Sequence, residues 1–111
     1  MKKANAKTKK HTKVAKTTSI RDLIQDNYPD IDLLFMDPAE EYDSAIVGVC
    51  DGISIEHNPK VVYDYEKVIK ANMKMGMTYE EAVEYYSFNQ EGAYLGEHTP
   101  VFMVKFNKRD L

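Results

Sequence analysis

Between Asp64 and Glu81 the sequence marks both sides of a helix-to-helix junction, and no other segment constrains the fold as tightly. Asp64 is a strong N-cap residue. After it, Tyr65, Val68, Ile69 and Met73 fall on one side of a helix of ordinary pitch. Gly76 stands where a glycine with a left-handed backbone would stop that helix. Thr78 and Glu81 then have the spacing of a capping box, in which each side chain bonds the other residue's backbone N–H. They open a second helix that turns Ala82, Val83 and Tyr86 inward and ends before Gly92. The connector, residues 75–77, is so short that the two helices must form an antiparallel hairpin.

Such a hairpin has one apolar side and needs a second layer to bury it. Residues 45–50 (AIVGVC) read as a buried strand, and Asp51-Gly52 as a two-residue hairpin turn. In the return segment Ile53, Ile55 and His57 alternate with Ser54 and Glu56, and Asn58-Pro59 turns the chain into a strand at 61–63. The same residues admit a second reading, with a bulge at Asp51-Gly52 and the main reversal at Asn58-Pro59. A last strand follows at 101–106, after a loop over 94–100 that carries glycine and proline. Upstream, Ser19 caps a short helix with Ile20, Leu23 and Ile24 on one side and Asp22 in its first turn. Tyr28-Pro29 ends it, because a residue before proline avoids the helical region. Leu33, Leu34 and Phe35 form a brief apolar run, and Asp37-Pro38 turns the chain. Strands and helices in separate blocks predict an α+β fold: a small antiparallel sheet packed against a helical hairpin, with a short N-terminal helix, as one domain over residues 18–111.

Charge divides the chain more sharply than its net −3 suggests. Residues 1–21 hold eight basic residues and no acid. The remainder holds the other seven basic residues and all eighteen acids, a net charge of −11, beyond the magnitude of about 2–8 usual for a small soluble domain. Residues 1–17 have almost no apolar content and are expected to be a disordered basic tail. That tail can neutralise phosphates and so bind nucleic acid without sequence preference, since no aromatic residue interleaves its lysines. The acidic domain beside it opposes such binding, and folding of the tail back onto the domain competes with it. The lone Cys50 excludes an intramolecular disulfide. No apolar run approaches the ~20 residues of a membrane span, and the basic start lacks the apolar stretch of a secretion signal. The expectation is a soluble cytoplasmic protein with no membrane partner.

The segments SAIVGV (44–49), VVYDYEKVIK (61–70), GMTYEEAVEYYSFN (76–89) and GAYLGEHTPVF (92–102) resemble a family of short proteins encoded by bacteriophages. The resemblance spans residues 20–103 and is most specific from Tyr63 to Phe102. It implies a phage or prophage origin and carries no assigned activity. The basic tail lies outside it, and residues 51–60 depart from its pattern.

Two groups of residues are candidates for function. Glu80, Glu84 and Glu91, with Ser87, follow the spacing of one outer helix face, and none has a basic partner at i+3 or i+4. Such a ridge suits a basic protein surface. In the alternative, Lys67, Lys70 and Lys74 on the preceding helix neutralise it across the hairpin. The second group is the loop after the hairpin, where Tyr94, Glu97 and His98 with the nearby Asn89 form the best small-ligand candidate, against the alternative of a connector with Tyr94 in the core. Asp26, Asp30, Asp32 and Asp37 lack the glycine and glutamate of a calcium loop. Cys50, His57 and His98 are too scattered for zinc or for an activated thiol, and Cys50 reads as a small buried hydrophobe. No catalytic, cofactor or metal motif is present. The acidic face therefore points to a non-enzymatic binding protein that acts on a host protein with a basic surface, with inhibition as one mode of action, and the resemblance implies that it is of phage origin. The alternatives are a nucleotide-binding protein using the 92–100 loop, and a tail-dependent nucleic-acid or virion-associated protein.

Overall fold

A computed structural model describes residues 19–51 and 58–111. The expected tail over 1–17 and the return segment 53–57 lie outside the described residues. The chain divides into two compact units between Leu33 and Leu34. In the first, helix α1 (Ile20–Asn27) begins where the Ser19 hydroxyl accepts the Asp22 N–H at 3.0 Å, and ends before Tyr28-Pro29 as the sequence predicts. Ile24 is its buried residue.

The second unit opens with a short helix α2 (Ala39–Tyr42), which leads through a 3-10 turn (Asp43–Ala45) into strand β1 (Ile46–Cys50). Strand β2 (Lys60–Asp64) runs directly into α3 (Tyr65–Lys74). After the connector come α4 (Tyr79–Tyr85) and, continuous with it, a π-helical turn (Tyr86–Glu91). Strand β3 (Val101–Met103) and a final 3-10 turn (Lys108–Asp110) complete the unit. The hairpin is capped as expected. Asp64 accepts the Glu66 N–H at 3.0 Å, and Thr78 and Glu81 close their reciprocal box at 2.9 and 3.1 Å. Gly76 takes φ +111°, a backbone that residues with a Cβ rarely adopt.

The fold is α+β, with a three-stranded sheet in the order β1-β2-β3. Three expectations change. First, β1 and β2 are direct antiparallel neighbours, with Cys50 opposite Lys60. Second, β3 runs parallel to β2. A parallel neighbour needs a long crossover, and the helical hairpin with its loop supplies one. Third, β1 is not the buried strand. Its register slips between Ile46 and Gly48, leaving Val47 as an extra residue, and Cys50 is exposed because β1 forms an edge among the described residues. The buried strand is β2, whose Val61 and Tyr63 are fully enclosed.

Tyr63 anchors a row of rings across the unit. It packs on Phe102 of β3 at 6.1 Å between centroids, Phe102 meets Tyr86 edge-on at 5.1 Å, and Tyr86 meets Tyr65 edge-on at 4.9 Å. Edge-on geometry sets the positive rim of one ring against the negative face of the next. Burial, with Glu91 and Tyr65 nearby, pushes the Tyr86 phenol up to about 12.

Asp64 joins sheet, helix and C-terminal segment. It is buried, caps α3 and pairs with Lys105 at 3.0 Å. Burial alone would raise its pKa. The Lys105 ammonium and the backbone N–H groups of Glu66 and Lys67 outweigh that and hold the carboxyl below its ordinary value. A depressed carboxyl contributes stability above its unfolded pKa and loses it as pH falls. Asp64→Asn keeps a capping oxygen but loses the charge. It is expected to lower stability at neutral pH by about 1 kcal/mol. It should also flatten the decline in urea midpoint below about pH 4.

Candidate functional site

The second helix was expected to carry Glu80, Glu84 and Glu91 along one ridge. Glu80 and Glu84 do share a shallow groove, lined also by Tyr79, Val83, Ser87 and Phe88. Glu91 does not: it lines a different depression with Lys60, Gly92 and Tyr94. The π-helical turn is the reason. It spends more residues per turn than an α-helix, so the side-chain phase slips after Tyr85 and Glu91 leaves the stripe.

The groove holds more than charge. Tyr79 is 60% and Phe88 75% exposed, so two aromatic rings stand beside the two carboxylates. Lys67, Lys70 and Lys74 do not neutralise them. These lysines line a separate groove with Glu40, Glu41 and Ser44, because the next element beside that side of α3 is α2 and its 3-10 turn. Among the described residues neither Glu80 nor Glu84 has an ion-pair partner.

The loop candidates separate. Tyr94 is 76% exposed instead of tucked into the core, and with Glu97 it lines the depression that includes Glu91. His98 is spent on structure, its Nδ1 lying 2.8 Å from the Pro59 carbonyl and tying the loop to the start of β2. Asn89 faces a different cleft of about 380 Å³, walled by residues 34–37, the end of the hairpin and the loop.

One buried polar cluster escaped the sequence reading. Asn72 is fully buried on α3, whereas Met73, expected on the apolar stripe, is half-exposed. Its Oδ1 accepts from the Tyr42 hydroxyl at 2.5 Å, and its Nδ2 donates to the Ala82 carbonyl at 3.2 Å and to Gln90 Oε1 at 2.9 Å. Gln90 Nε2 closes the ring by donating to the Tyr42 hydroxyl at 3.0 Å. The π-helical turn makes this possible by bringing Gln90 inward after Tyr86, which leaves Asn89 facing the cleft. Burial raises the Tyr42 phenol despite the Gln90 bond, so it serves as a neutral donor.

Comparison with protein-family models, with curated proteins and with solved structures returns no match. Among the described residues no helix is long and apolar enough to cross a membrane.

Proposed function

We propose that this chain is a non-enzymatic protein-binding module of phage origin that inhibits a host protein by covering a basic surface on it. The observation that carries the reading is the α4 groove, where Glu80 and Glu84 flank the exposed rings of Tyr79 and Phe88. Carboxylates set the approach and orientation of a basic partner through long-range attraction. An exposed aromatic residue supplies the apolar anchor that makes such contacts last, since interface energy concentrates in a few rings and arginines. The strongly acidic balance of residues 22–111 favours the same partner and disfavours polyanions.

The test is capture from bacterial lysate followed by measured affinity for the retained protein. The E80K/E84K double variant is expected to weaken binding at least a hundredfold, and F88A at least tenfold. Added salt should slow association. Because Glu91 lies off the groove, E91K should bind like the wild type. Phe88 and both glutamates are exposed, so all variants should keep their far-ultraviolet circular dichroism. Binding that survives E80K/E84K unchanged rules out this face.

A further inference from the structure

We propose that the α3–α4 hairpin binds a second copy of this chain, two hairpins meeting about a twofold axis. Three hollows adjoin one another across it. Lys67, Lys70 and Lys74 line the first, against α2. Tyr65, Ile69, Met73 and Tyr79, with Glu66, wall the second, of about 200 Å³, which shares Lys70 with the first. The third is the Glu80–Glu84 groove, which shares Tyr79 with the second. The shared residues make the surface continuous: basic at one end, apolar in the middle, acidic at the other.

A twofold interface joins the same patch of both copies and therefore has to be complementary to itself. With the axis through the apolar middle, the lysine end of each copy lies on the glutamate end of the other. Both charge contacts then form at once. Among the described residues none of Lys67, Lys70, Lys74, Glu80 and Glu84 has an ion-pair partner within its own chain. Glu40 and Glu41 also line the lysine end without pairing to it, and three ammoniums against two carboxylates leave that end positive.

The middle supplies the apolar area, with Met73 40% and Tyr79 60% exposed. Tyrosine and methionine are enriched at the buried core of interfaces. Exposed charge pairs contribute little by themselves, so the apolar middle holds the dimer and the charged ends set its register. The full chain's net −3 leaves only weak repulsion between copies. The dimer shares Glu80 and Glu84 with the function proposed above and does not depend on it; it covers the groove that a host protein would occupy.

The test is sedimentation velocity of the full chain over a concentration series at low salt. The wild type should pass from monomer to dimer and no further, because a twofold contact closes on itself. E80K/E84K and K67E/K70E should each weaken the dimer at least tenfold, since each gives both ends the same charge. An equimolar mixture of the two variants restores complementary ends and should recover a dimer, a rescue that misfolded chains do not give. Y79A is expected to weaken the dimer at least tenfold, and added salt severalfold. K67E/K70E leaves the α4 groove intact and should still capture a host protein, so the two proposals fail separately. The dimer proposal is overturned by a wild type that stays monomeric throughout, by growth beyond the dimer, by a dimer that survives either double variant, or by a mixture that stays monomeric.

Discussion

Tyr63→Ala lowers the unfolding free energy by about 3–5 kcal/mol, read as a fall in urea midpoint with an unchanged slope. Tyr63 is fully buried in the central strand, and its ring begins the row through Phe102 and Tyr86 to Tyr65. Truncation removes apolar burial and leaves a cavity that the paired strands on both sides cannot close. Small domains hold about 5–15 kcal/mol in total, so the variant should be marginal at 37 °C. Tyr63→Phe separates ring from hydroxyl. It removes the hydroxyl that accepts the Met36 N–H, a bond of 2.8 Å, and is expected to cost about 1 kcal/mol. A loss as large as that of Tyr63→Ala would mean that the hydroxyl, not the ring, dominates.

Asn72→Ala is expected to cost about 3–4 kcal/mol, a large loss for a polar side chain. The side chain is fully buried and four bonds converge on it. Without it, the Tyr42 hydroxyl proton and Gln90 Oε1 lose their partners inside the unit, and buried groups left unpaired bear their desolvation in full. The Ala82 carbonyl keeps its helical bond from the Tyr86 N–H. Asn72→Asp tests the same network through pH. It turns a donor into an acceptor facing the Ala82 carbonyl and Gln90 Oε1, so its buried carboxyl has a raised folded pKa. Stability of that variant should be present below the unfolded value of about 3.9 and lost as pH rises through the folded one. Urea midpoints that do not improve on acidification would rule out this arrangement of bonds.

The two residues illustrate what a linear reading sees. Tyr63 lies in a segment recognisable as a strand, because its β-branched and aromatic neighbours are bounded by turn residues. Asn72 carries no such mark. An asparagine within a helical pattern looks like a solvated position until α2 and the π-helical turn bring Tyr42 and Gln90 to it. The same holds for the acidic face. Glu80 and Glu84 were legible because α-helical spacing relates them, whereas Glu91 lies beyond a change of helical pitch that no motif announces. The loop was legible as a loop, but the roles of Tyr94 and His98 depended on the distant Pro59 and on which side the core lay.

The amino-acid sequence by itself determined the caps at Ser19, Asp64, Gly76 and Thr78–Glu81, hence the helical hairpin and the α+β class. Caps are hydrogen bonds between residues at most a few positions apart, so local order specifies them. Only the tertiary structure decided the parallel seat of β3, the exposure of Cys50, the closure of the Tyr42–Asn72–Gln90 ring and the turn of Glu91 away from the groove. Each depends on contacts between residues far apart in the chain, where the winner is whichever packing buries the most surface and leaves the fewest polar groups unpaired.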